Sequence, residues 1–299
     1  MDKSITISAY IFLIFATAFW GGNIIAAKVA SIISLEPIKL SFYRNIVVII
    51  ILLPFVFYKI KIIFEIFKQN WKIIIFFSIL SVSIFNTFMN IALTTSSVIS
   101  TSLMPSFAPS MIIIFSLIIY KSKISYLQLI GVIVSFIGFI NIIIRGDINN
   151  IESLNFVKGD LWMLSCVCSW AFYSVMLKKS PKELDNISFL FLIFFIGNFF
   201  VLPFYITESI INDSFIIDEK FGLMLVLYLG VGPALISFLL WVKSVKVIGA
   251  NKSGLFLNLI PIFSSLISII FLKETLESYH IIGALLIFSG IYLIIIKNE

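Results

Sequence analysis

Apolar residues fall along the chain in ten blocks of about twenty, separated by short polar stretches. A block of that length suits an α-helix crossing about 30 Å of hydrocarbon at about 1.5 Å per residue. The pattern predicts spans over residues 8–28, 38–58, 72–93, 98–119, 125–144, 158–177, 187–206, 221–241, 252–272 and 279–296. Runs such as Ile46–Phe57 are continuously apolar. That excludes a membrane β-barrel, whose strands alternate apolar and polar positions. The ten spans use about two thirds of the chain, and the loops left over leave no room for a soluble catalytic or nucleotide-hydrolysing domain.

Composition agrees. The chain is 61% hydrophobic and 12% charged, with a mean hydropathy of +1.14, against about 25% charged residues in a soluble domain. The first apolar block is as long as a full span, and Trp20 and Lys28 stand where a signal peptide would need small residues, so it is expected to remain as the first helix. The net charge of +6 comes from lysines spread over many loops, not from one basic patch of the kind that binds nucleic acid. Cys166 and Cys168 both fall in the sixth span, with no His or carboxylate beside them. They form no disulfide framework and a poor metal site, and no metal or other cofactor is expected.

Charge in the loops predicts an orientation. With the N-terminus inside, the inner side carries fourteen basic residues: Lys3, Lys59, Lys61, Lys68, Lys72, Lys121, Lys123, Lys178, Lys179, Lys182, Lys243, Lys246, Lys252 and Lys297. The outer side carries six, namely Lys28, Lys39, Arg145, Lys158, Lys220 and Lys273, with Arg44 inside the second span. Basic residues in short loops resist translocation, so both termini are expected in the cytoplasm of a bacterial cell, with the chain in the inner membrane. The acidic Glu208–Glu219 loop then falls outside. The expected partners are the lipid bilayer and a small-molecule substrate, for a monomer or homodimer.

The chain repeats itself. Pro109 and Pro261, Lys121 and Lys273, Gly131 and Gly283, and Gly138 and Gly290 are each 152 residues apart, and Trp20 with Lys28 matches Trp170 with Lys178 at an offset of 150. Between these anchors SLIIYKSKISYLQLIGVIVSFIGFINIII aligns with SIIFLKETLESYHIIGALLIFSGIYLIII. The division falls near Arg145–Lys158, giving halves over 1–146 and 157–299. Each half holds five spans, an odd number, so the second enters the membrane from the opposite face. The expected fold is therefore all-α, with ten transmembrane helices as two inverted five-helix repeats. Inverted repeats of this kind suit a carrier that rocks about a site near the midplane.

The residues carrying the repeat also resemble a known family. Phe19-Trp20-Gly21-Gly22-Asn23 is similar to the WGxN start of the drug/metabolite transporter superfamily in its EamA-type branch, and Phe42-Tyr43-Arg44 to the Arg-containing start of its second helix. Ala250-Asn251-Lys252-Ser253, Ile260-Pro261, Leu272-Lys273-Glu274 and Ile282-Gly283-Ala284 with Gly290 resemble the closing signature of its second repeat. Lys121-Ser122-Lys123 departs from it, standing where the first repeat of the family usually has an acidic residue. The resemblance implies export, less often import, of amino acids, nucleobases, sugars or other metabolites.

Polar groups at membrane depth are the candidates for a site. Arg44 could snorkel outward or cap a carbonyl end, or it could anchor a substrate carboxylate through paired hydrogen bonds. Asn86 and Asn90 share a helix face, as do Trp20 with Asn23 and Trp170 with Tyr173. With Asn258 they are candidates to line a central cavity, the alternative being hydrogen bonds between helices. Pro109, Pro233 and Pro261 are hinge candidates. Pro109 and Pro261 remove the helical donors to the carbonyls of Pro105 and Leu257, and carbonyls so freed persist at depth only where they find protein, water or ligand, the alternative being an ordinary kink.

All fifteen acidic residues fall in loops, tails or span ends. Carboxylate relays are typical of proton-driven carriers, so weak or no obligatory proton coupling is expected. His280, at the start of the tenth span, is expected at the interface. The competing class, an integral-membrane enzyme or scramblase acting on lipid-like substrates, would want clustered carboxylates, a metal-binding His set or a nucleophile with its base. A channel would want rings of charge or carbonyl filters.

Overall fold

The computed structural model describes residues 3–121, 125–148, 157–217 and 220–295. Ser122 and Lys123, residues 149–156 of the division between halves, Glu219 and Lys297 lie outside the described residues. Among the described residues there are ten helical spans and no strand. The first half holds α1 (Lys3–Ile32), α2 (Pro37–Val56), α3 (Ile60–Ser78, Ile79–Ile84 and Phe85–Thr95 in succession), α4 (Val98–Leu103, Met104–Phe107 and Ala108–Tyr120) and α5 (Tyr126–Ile143). The second holds α6 (Lys158–Met176), α7 (Asn186–Ile211), α8 (Lys220–Leu229, Gly230–Ile236 and Ser237–Ile248), α9 (Ala250–Gly254, Leu255–Asn258, Leu259–Ile267 and Ser268–Leu272) and α10 (Ser278–Ile295).

The chain turns back between α2 and α3 without an intervening loop. Helical structure runs from Pro37 to Thr95, yet Asn90 Nδ2 near the end of α3 donates to Ser41 Oγ near the start of α2 at 2.8 Å. Two breaks make this possible: a 3₁₀ turn at Phe57–Lys59 and a non-helical Asn70 (φ −120°, ψ 20°). The stretch between them, expected as a loop, is an amphipathic helix. Ile63 is buried while Ile60, Ile62 and Phe64 are exposed, and Lys61, Glu65, Lys68 and Gln69 share the remaining face. Such a segment lies along an interface instead of crossing it.

Several backbone irregularities repeat with the sequence. π-helical segments occur at Ile79–Ile84 and Gly230–Ile236, and 3₁₀ segments at Met104–Phe107 and Leu255–Asn258. Lys121 and Lys273 both end their helices in the left-handed region, at φ 51° and 54°. The three hinge candidates sit at these places: Pro233 inside the π segment of α8, and Pro109 and Pro261 just past the 3₁₀ segments of α4 and α9. The two carbonyls deprived of their helical donors find others in the protein. Ala108 N–H donates to Pro105 O, and Leu259 N–H turns to Phe256 O and Leu257 O. Tightening to 3₁₀ supplies the donors that proline withholds.

The halves interlock. α1 packs on α8 and α9, and its counterpart α6 packs on α3 and α4. The counterpart pairs α2 with α7 and α5 with α10 meet directly. Ser135 Oγ donates to Ile287 O, the carbonyl of its own counterpart 152 residues on, at 3.2 Å. Asn45 Nδ2 reaches Asn198 Oδ1 at 3.2 Å across α2 and α7.

Candidate functional site

Trp20 of α1 and Trp170 of α6 are repeat counterparts, and their rings meet edge to face at 5.2 Å. Counterparts touch only close to the axis relating the halves, so this pair lies on that axis. Trp241 of α8 stands 5.4 Å from Trp20 and 5.5 Å from Trp170, with Phe238 and Phe85 at 5.1 and 4.6 Å from Trp170. Trp20 Nε1 donates to Pro233 O at 3.2 Å, tying α1 to the π segment of α8. Beside this cluster lies a cavity of about 30 Å³ walled by Trp20, Asn23, Phe85, Met89, Met163 and Trp170, among others. In this conformation it is too small for a metabolite.

Of the predicted site residues, Trp20, Asn23 and Trp170 line this cavity; Arg44, Asn86, Asn90, Tyr173 and Asn258 do not. Asn23 Nδ2 contacts Met89 Sδ at 3.3 Å. Tyr173 is fully buried 5.2 Å from Trp170. Asn90 spends its amide on Ser41. Arg44 is buried, and its Nε and Nη1 have no hydrogen-bond partner among the described residues. The same holds for Asn86 Oδ1 and Nδ2, Tyr173 Oη, Trp170 Nε1 and Asn258 Oδ1. Buried polar atoms are rarely left this way, and so many in one bundle mark groups available for another conformation or for a ligand.

The two ends of the bundle differ. At one end the helices are latched together. Lys28 Nζ of α1 donates to Leu93 O and Ser96 O at the end of α3, at 3.1 and 2.9 Å. Ser96 Oγ donates to Asp160 Oδ1 of α6, and Gly159 N–H to Thr95 Oγ1 at 3.0 Å. Glu274, after α9, accepts from the N–H groups of Val98 and Ile99 at 2.8 and 3.0 Å, capping α4. His280, at the start of α10, is buried among helix ends here. Its Nδ1 accepts from Glu277 N–H at 3.1 Å, so Nε2 carries the proton and donates to Ser100 Oγ at 3.0 Å. Glu208 caps α2 in the same manner, accepting from Ile38 and Lys39 N–H at 3.2 and 2.7 Å. The span-end carboxylates thus hold helix N-termini, where partial positive charge favours them.

At the other end a cavity of about 860 Å³ opens among α4, α6, α8 and α9. Lys178, Lys182, Lys246 and Lys252 line it, with Tyr120, Ser174, Val245 and Ile248. α4, α6 and α9 wall both cavities. From Ala108 in the central one to Ser116 in the larger is roughly 12 Å along α4 at helical rise.

A ten-helix bundle of two interlocked repeats, closed at one end and open at the other around a buried centre, defines a membrane transporter. The chain belongs to the EamA-like transporter family, which matches residues 7–144 and again 157–296. It is similar to an uncharacterized transporter of Archaeoglobus fulgidus, 22% identical over 97% of this chain and 98% of that one. The uncharacterized transporters YetK and YvbV of Bacillus subtilis are 23% and 27% identical, over 97% and 96% of this chain and 88% and 91% of theirs. A solved crystal structure shares the fold at a TM-score of 0.67 and 16% identity, over 99% of this chain and 98% of that one.

Proposed function

We propose that the chain is a carrier, not an enzyme, exporting small polar or amphipathic metabolites such as amino acids or related compounds by alternating access between its halves. One observation carries this reading. Lys28 is closed onto the carbonyls of Leu93 and Ser96, while its counterpart Lys178 lines an open cavity together with Val245 and Ile248, the counterparts of Leu93 and Ser96 at an offset of 152. One pseudo-symmetric molecule thus holds the same device shut at one end and open at the other. Exchanging the two arrangements would expose the centre to the opposite side. The loop charges support the open end facing the cytoplasm of a cell whose inner membrane holds the protein.

Purified protein in liposomes tests the reading by counterflow: preloaded unlabelled metabolite should accelerate uptake of its labelled form, saturably and competably. Linear, non-competable flux would replace the carrier with a channel. Without a carboxylate at mid-span, transport should proceed with no pH gradient, and uptake driven by such a gradient alone would overturn that part. Arg44, buried with free donors, is assigned as an anchor within the carrier. Arg44→Ala should raise the apparent KM about tenfold, the loss of a charge-assisted hydrogen bond, whereas Asn90→Ala, whose amide serves Ser41, should lower thermal stability with KM little changed. Equal KM in both variants would remove Arg44 from the binding site.

A further inference from the structure

We propose that the open cavity is an access vestibule selective for organic anions, with Lys182, Lys246 and Lys252 as recruiting charges and Ser174 as a hydrogen-bond donor in its wall. The inference rests on the carrier reading and names the substrate class that reading leaves open.

Four lysines line the cavity and, among the described residues, no Asp or Glu does. Asp185, the carboxylate acting on Lys246, is already engaged by Lys59 Nζ at 3.1 Å and by Ser188 N–H at 2.9 Å. Lys246 Nζ is held by a neutral group, Asn186 Oδ1, at 2.8 Å, and Lys178 Nζ lies 5.3 Å over the Tyr120 ring. Neither arrangement neutralises an ammonium. Loop lysines set orientation wherever they lie, and Lys68 and Lys72 do so from positions over Phe64 and Trp71. Orientation does not require four of them around one hollow. A concave, low-dielectric wall of one sign focuses field and raises the local concentration of the opposite charge.

A second observation points to a ligand. Ser174 lines the same cavity, is 1% exposed, and its hydroxyl has no partner among the described residues. A hydroxyl in a wall shared with four lysines suits the oxygen of a carboxylate or phosphate. Nearer the centre the walls turn to Trp20, Trp170, Phe85, Met89 and Met163, so an anion with an apolar or aromatic body fits the sequence of surfaces from vestibule to core.

The test uses the full chain in phosphatidylcholine nanodiscs, where no anionic headgroup competes, and matched probes: phenylpropionate, phenyl phosphate, phenylpropanamide, phenylpropylamine and inorganic phosphate. Binding is read by thermal shift and titration at low and high salt. The expected result is saturable binding of the anions and not of the amide or amine, weakening as salt screens the lysines. Carboxylate against phosphate affinity separates the two oxyanion sources. Lys182→Gln with Lys252→Gln should weaken anion binding about tenfold, as expected for removing two focused charges, and Lys68→Gln should not. Binding of the amine as tightly as the acid, an equal loss in Lys68→Gln, or anion binding that requires phosphatidylglycerol would each overturn the proposal. Counterflow separates this from failure of the carrier reading. Flux of the amide or amine without flux of the anions leaves the carrier and removes the vestibule's selectivity. Anion binding without counterflow of any probe leaves the vestibule and removes the carrier.

Discussion

Gly138→Leu should leave little folded protein, whereas Ile137→Leu, one residue away at the same depth, should be silent. A side chain begun at Gly138 would put its Cβ 2.7 Å from Gly283 O and from Leu286 Cβ, and 2.9 Å from Ile287 N. Two of those three atoms are backbone and cannot turn aside. At Gly290, in the symmetric position, a Cβ would strike Gly131 O and Ser135 Oγ. α5 and α10 therefore meet backbone to backbone, the close approach that small residues permit where lipid offers no hydrophobic drive for association. Overpacking with a flexible neighbour costs about 1–3 kcal/mol, and against backbone the upper part of that range applies. Ile137 is 53% exposed, away from the buried face of α5. Expression level and monodispersity on size exclusion, followed by melting temperature, would separate the two variants. Equal behaviour would mean that this glycine face is not a packing face.

Much of this was legible in the sequence because the membrane forces regularity. Hydrocarbon admits few backbones other than helices of about twenty residues, so the ten blocks mapped onto ten spans. The 152-residue offset survived because Gly131, Gly138, Gly283 and Gly290 answer to one another across a single interface. Less was legible where the deciding partner is distant in sequence. Glu274 and Glu208 read as loop or span-end charges, yet each caps a helix more than 160 residues away. The partner of His280 was hidden for the same reason, since Ser100 lies 180 residues away. The segment Ile60–Asn70 alternates too irregularly to read as a span and lacks the turn residues of a loop. Its helical character shows only in a 3.6-residue grouping of Lys61, Glu65 and Lys68. For the centre, Trp20, Asn23 and Trp170 were found as intramembrane polar or amphipathic groups, but Trp241 and Phe238 look like ordinary span residues. Nothing local says that three tryptophans converge.

Lys28→Ala should open the latched end, and Lys178→Ala should act in the opposite direction. Lys28 Nζ satisfies two carbonyls at the end of α3. A hydrogen bond from a charged donor contributes about 1.5–3 kcal/mol, so losing this contact should shift the balance between conformations by roughly tenfold or more. A cysteine at Asn23, 2% exposed beside the central cavity, with Cys166 and Cys168 replaced by serine, reports on access. An impermeant maleimide supplied from the Lys28 end should label it about tenfold faster in Lys28→Ala. In the proposed alternation, Lys178 closes onto Val245 O and Ile248 O when the centre faces the other way. Lys178→Ala therefore removes support from the arrangement that admits the reagent, and labelling should slow. A merely structural lysine would give the same sign at both positions, or none. The latches are also unequal. Glu274 reinforces closure at the Lys28 end by capping α4, and its counterpart by sequence register is Ser122, which carries no charge. Glu274→Gln should accordingly raise labelling as Lys28→Ala does, because it weakens the same closure from the other side of the α3–α4 turn. The bias towards a closed Lys28 end then follows from one carboxylate that the first repeat lacks.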